Sequence, residues 1–203
     1  MTRVAVSVEG STEEAFVKRL LVGYLEEKGI FVQPFPLHGN ITVQRLALDM
    51  ANFFWSFDFV TSLVDFYGFR DKGEKTIEEL EENISETIDK RINQSWDQSR
   101  IFPYIQQYEF EGLLFSNVDG FRLVPEVDEE CLTSLSQIRQ QFETPEHIND
   151  NSTTAPSKRI KVLIPTYNKV LHGLLVAGET GLDSIRNECP RFNGWLNRLE
   201  SLA

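Results

Sequence analysis

The stretch Val4–Phe16, VAVSVEGSTEEAF, decides the reading of the fold. Its first five residues alternate with the period of a pleated strand, and Ser11 with the acids behind it opens a helix. A carboxylate, Glu9, stands where the strand should end. Outward from it, RVAVSV (residues 3–8) is predicted as a first strand. STEEAFVKRLLVGYLEEK (11–28) is predicted as a helix, with Phe16, Leu20, Leu21, Tyr24 and Leu25 at helical spacing. Ser11 and Glu14 have capping-box spacing, and Gly29 suits the C-terminal cap. IFVQPF then reads as a second strand near a sheet edge, because Pro34 cannot donate to a ladder.

A helix is expected from about Val43 to Trp55, and DFVTSLVDFYGF holds a third, strongly apolar strand ending near Asp65. Residues 74–94 read as a polar helix, and RIFPYIQQYEFEGLLFS as a fourth strand turning into a short helix. Alternation of strands and helices predicts a mostly parallel α/β sheet with right-handed crossovers. Beyond it PEVDEECLTSLSQIRQQF, residues 158–171 with a break at Pro165, 179–187 and 191–201 are expected to be helical. TPEHINDNSTTAPSKR is expected to be a loop. The expectation is one domain over 1–203, with an α/β core in 1–118 and a mainly helical extension in 119–203.

Composition narrows the function classes. A net charge of −11 argues against autonomous, nonspecific nucleic-acid binding through a basic footprint, although a divalent cation could offset acids locally. No run approaches the ~18 apolar residues of a membrane span, and the first residues lack a signal-peptide pattern. A soluble, cytoplasmic protein is expected. Cys131 and Cys189 have no metal-site spacing and are expected to be reduced. GxxxxGK[ST], a complete GxGxxG and GxSxG are all absent, so neither a nucleotide-binding loop nor serine hydrolysis is supported. His38, His147 and His172 read as structural or surface residues.

Three of the four expected strands end in acid: Glu9, Asp65, and Glu109 with Glu111. Ligands of doubly wound sheets bind beyond the carboxyl ends of the strands, and carboxylates suit a packed interior poorly. Their recurrence at one rim suits Mg²⁺ or Mn²⁺, which take carboxylate, water and phosphate oxygens and can organise phosphodiester hydrolysis. Lys158, in a basic run with Arg159 and Lys161, is a candidate to stabilise charge on phosphate.

VSVEGSTEEAF, SLVDFYGF, YEFEGLLFS and APSKRI together resemble the Toprim-like proteins of a family long labelled as of unknown function. Its members are similar to the Toprim domains of overcoming-lysogenization-defect (OLD) nucleases, topoisomerases and primases. The resemblance spans roughly residues 3–199. It implies a Toprim-like (Rossmann-like), mostly parallel four-stranded sheet and a metal-dependent nuclease. Glu9 would be metal ligand or general acid/base, Glu13, the second acid of an ExxxE pattern, a supporting metal ligand, and Asp65, the first acid of a DxD motif, the central metal ligand. Tyr67 stands at the second DxD position, leaving Glu109 or Glu111 to supply the missing oxygen ligand. Lys158 would match the late lysine of the OLD group. The resemblance also implies a nucleic-acid substrate, DNA ahead of RNA, and a separately encoded ATPase partner in defence against phage. Two other readings stand beside this one: a noncatalytic Toprim-fold interaction subunit, and a phosphatase acting on small nucleotides.

Overall fold

A computed structural model of the chain describes residues 1–149 and 153–203. The expected loop over 144–159 includes residues 150–152, which lie outside the described residues. The chain forms two compact units, Met1–Gln106 with Arg198–Ala203, and Gln107–Asn197.

The first unit is built on β1 (Thr2–Val8), β2 (Ile30–Pro36), β3 (Phe59–Asp65), β4 (Ile101–Phe102) and β5 (Ile105–Gln106). Their order is β2-β1-β3-β4, with β5 also on β3, and every pairing is parallel. Pro34 sits in the edge strand β2, where its missing N–H leaves no central ladder incomplete. The expected fourth strand is two short segments, because Pro103 interrupts it. Side chains of β3 fill the gap. The Thr61 hydroxyl donates to Phe102 O at 2.7 Å, and the Ser62 hydroxyl donates to Tyr104 O and accepts from Tyr104 N–H, both at 2.9 Å.

Helical cover follows from the crossovers. α1 (Ser11–Phe16), a π-helical turn (Val17–Leu21) and α2 (Val22–Glu26) join β1 to β2; Phe16, Val17, Leu21 and Leu25 are buried. The expected Ser11–Glu14 capping box lies one residue earlier. Gly10 is the N-cap, its N–H donates to Glu13 Oε2 at 2.9 Å, and Glu14 instead pairs with Lys18. α3 (Val43–Phe53) returns from β2 to β3, and α4 (Ile77–Ile92) leads from β3 towards β4. Thr76 and Glu79 form a capping box at the start of α4, and Asn93 ends it in the left-handed conformation at φ 50°. Leu46, Ala47 and Met50 of α3 and Leu80, Ile84 and Ile88 of α4 pack with Ala5, Val60, Val64 and Ile105 of the sheet. Truncating a residue buried as fully as Leu46 costs about 2–5 kcal/mol.

Because the chain leaves β1 for β2 and then crosses back to β3, the strand order reverses between β1 and β3. That is the place where open parallel sheets accept ligands.

The second unit is helical: α5 (Glu111–Leu114), α6 (Glu129–Gln140), α7 (Pro156–Leu163), α8 (Leu171–Thr180), α9 (Leu182–Glu188), and α10 (Pro190–Glu200) up to Asn197. Helix stops before Pro165 as expected, but residues 164–170, expected to carry on the helical piece to 171, are not helical. Buried Glu146 accepts N–H bonds from Arg191 and Phe192 at the start of α10, at 2.9 and 3.0 Å, satisfying donors that a helix start leaves open. Among the described residues no helix is long and apolar enough to cross a membrane.

Candidate functional site

The topological switch point of the first unit carries two of the acids singled out in the sequence. Glu9 follows the last residue of β1, and its own N–H donates to Leu63 O of β3 at 3.3 Å. Its carboxylate lies over the turn that ends β3, where Oε2 accepts the Asp65 N–H at 3.2 Å. A 3-10 turn, Phe66–Gly68, follows. The approach is close: a Cβ on Gly68 would stand 2.7 Å from Glu9 Cδ and would displace the carboxylate from the turn. Asp65 itself is buried, at 7% exposure, as the last residue of β3.

Glu13 is likewise buried, with one carboxylate oxygen on the Gly10 N–H. Tyr67 stands where a second DxD acid would be. Its ring lies 5.8 Å from that of Phe66, and the Lys72 ammonium sits 5.6 Å above Tyr67 and 5.8 Å above Phe66. An aromatic pair attended by a cation occupies that position.

The loop after β2 braces the same strand end. Leu37 N–H donates to Val8 O at 2.8 Å and Gly39 N–H to Glu9 O at 3.0 Å. His38, Gly39 and Asn40 all have positive φ, at 57°, 75° and 55°. The Arg45 guanidinium reaches back from α3 and holds this run by donating to the carbonyls of Leu37, Gly39 and Asn40. Beneath, buried Ser7 donates to Asp49 of α3 at 2.7 Å; burial raises the Asp49 carboxyl above its ordinary value, opposed by Ser7 and Arg45.

The other acids belong to the second unit. Glu109 accepts the Ser157 N–H at 2.8 Å. Glu111, 1% exposed, receives the Lys169 ammonium on Oε2 at 3.0 Å. Burial raises the Glu111 carboxyl, Lys169 opposes the rise and Glu109 adds to it. Tyr167 is buried, and burial followed by the charges of Glu111 and Glu109 pushes its phenol well above the usual range. Among the described residues Glu111 Oε1 and the Tyr167 hydroxyl have no hydrogen-bond partner. Lys158 is exposed near the start of α7.

Among the described residues no group of three or more His, Cys, Asp or Glu side chains is placed to hold a metal ion. Glu9 and Asp65 supply hard oxygens, and the glycine turn lets one carboxylate settle against the backbone. That donor set fits Mg²⁺ or Mn²⁺, which commonly takes one or two carboxylates and completes its shell with water and phosphate. Spacing alone could not have pointed to Lys169, which meets Glu111 across 58 residues, whereas Arg45 and Lys72 act on turns within eight residues of themselves.

The family model described as "Domain of unknown function (DUF4276)" matches residues 8–200. The structure is similar to the C-terminal region of the Burkholderia pseudomallei OLD protein, with TM-score 0.56, 15% identity and all of both chains covered. It is also similar to the C-terminal region of the Xanthomonas campestris pv. campestris OLD protein, with TM-score 0.53 and 16% identity over 99% of this chain and 95% of that one. At these identities the likeness establishes the fold. No curated protein matches the chain.

Proposed function

We propose that this chain, which belongs to the DUF4276 family, cleaves phosphodiester bonds of nucleic acid at a Mg²⁺- or Mn²⁺-dependent site on its α/β unit. The observation that carries the reading is the Glu9 carboxylate resting on the Asp65 N–H at the switch point between β1 and β3. The likeness to OLD C-terminal regions supports it at the level of fold.

Glu9 and Asp65 would hold the metal, with Glu13 bracing the helix start that follows Glu9 through the Gly10 N–H. A bound divalent ion supplies a Lewis acid for the phosphoryl oxygens and lowers the pKa of a coordinated water. The protein's part is placement. Asp65 N–H and the Gly68 turn fix the Glu9 carboxylate, and the Arg45-clamped loop fixes the backbone on which Glu9 stands. Glu109, Glu111 and exposed Lys158, also singled out in the sequence, belong to the second unit. DNA is the favoured substrate, and a separately encoded ATPase in phage defence would supply the basic surface that a chain of net charge −11 lacks.

The reading is tested by incubating purified protein with single- and double-stranded DNA and RNA, with Mn²⁺, with Mg²⁺ or with chelator. Metal-dependent cleavage that disappears in Asp65→Asn supports it; intact substrates throughout, with and without an ATPase recovered by pull-down, oppose it. Tyr67 at the second DxD position favours a second reading, a noncatalytic interaction subunit. That subunit would bind its partner equally well as wild type and as Asp65→Asn.

A further inference from the structure

Gln106 ends β5 and pairs in register with Asp65, the last residue of β3. Register neighbours in a parallel ladder point to the same side of the sheet. The preceding pair, Val64 and Ile105, faces the core beneath α3 and α4, so Asp65 and Gln106 share the opposite face. Tyr104, two residues before Gln106, lies on that face too, and its hydroxyl donates to Gln106 Oε1 at 2.7 Å. This bond sets the orientation of the amide. With Oε1 occupied by the tyrosine, Nε2 is turned away from it, fully buried and with no acceptor among the described residues.

A buried donor without an acceptor is costly, and a methionine would fill the same volume without that cost. An amide N–H has no lone pair for a metal, so its complement is an oxygen. Beside Asp65, in a site that takes phosphodiesters, the oxygen that a ligand brings is a phosphoryl oxygen. We propose that Gln106 is a substrate-orienting residue whose Nε2 donates to a phosphoryl oxygen bound beside Asp65. The inference rests on the phosphodiesterase reading and adds to it a residue outside every acidic motif. Tyr104 serves as a positioning residue, acting on the phosphate only through the amide that it holds.

The test is calorimetric titration of the full chain with inorganic phosphate, with and without saturating Mg²⁺, for wild type, Gln106→Met and the double variant Tyr104→Phe/Gln106→Met. The double variant removes the tyrosine hydroxyl that the single one would leave buried without a partner. About tenfold weaker phosphate binding in both variants is expected, the loss of one hydrogen bond to a charged group. Mg²⁺ affinity should be unchanged, and the double variant should melt at or above the wild-type temperature. Unchanged phosphate affinity overturns the inference, as does a loss in the double variant that tracks lower melting temperature or weaker Mg²⁺ binding. A wild type that binds no Mg²⁺ but binds phosphate through Gln106 would sink the metal reading and leave this inference standing. A wild type that binds no phosphate overturns the inference alone if Mg²⁺ still binds.

Discussion

The Asp65 N–H donates to Glu9 Oε2 at 3.2 Å, tying the residue after β1 to the end of β3 across 56 residues of sequence. Two carboxylic acids are thereby anchored at the point where strand order reverses. Glu9 is held by its side chain on the Asp65 backbone N–H.

Gly68→Ala should test that anchoring without touching either acid. The new Cβ would stand 2.7 Å from Glu9 Cδ, so the carboxylate must leave the turn. Gly68 does not have a positive φ, so alanine should be tolerated by the backbone. The expected result is roughly tenfold weaker Mn²⁺ binding, about 1.4 kcal/mol, with a much smaller change in denaturant midpoint.

Arg45→Met should be a stability variant first. It keeps the buried stem but removes hydrogen bonds to three carbonyls of a run with positive φ at His38, Gly39 and Asn40. A loss of about 1–3 kcal/mol is expected from urea unfolding, because those carbonyls lose a charged donor.

Asp49 gives the stability a pH dependence of known sign. Burial raises its folded pKa above the ordinary 3.8, so between those two values the folded state binds more protons than the unfolded one. This contribution lowers stability as pH rises from about 3.8 through the folded pKa. Asp49→Asn keeps an acceptor for Ser7 and should remove that component, which urea unfolding at a series of pH values will measure.

Glu146→Leu should destabilise the helical unit by about 3 kcal/mol, because two backbone N–H groups at the start of α10 lose a charged acceptor. Glu146→Gln, which keeps one acceptor oxygen, should cost less. Thermal melts of the two variants check the order.

Much of the α/β unit was legible because period and punctuation agree in it. VAVSV alternates, Gly29 stops a helix, and Pro34 marks the edge strand. Glu9 and Asp65 were legible as a pair because both follow apolar strand patterns that predict parallel neighbours. The break in the fourth strand was not, since it depends on Thr61 and Ser62 of β3 completing the bonding around Pro103. The helix cap moved from Ser11 to Gly10 because a glutamate side chain can satisfy the backbone there without a cap hydroxyl. Lys169 meeting Glu111, 58 residues away, and Gln106 beside Asp65 follow from tertiary packing and register, for which single-residue spacing carries no signal.

The most direct measurement is calorimetric titration of the purified chain with Mn²⁺, comparing wild type with Glu9→Gln and Asp65→Asn. Wild-type binding that is lost in both variants, with folding intact by circular dichroism, is the expected result. Binding that survives both substitutions unchanged would contradict a metal site at the switch point.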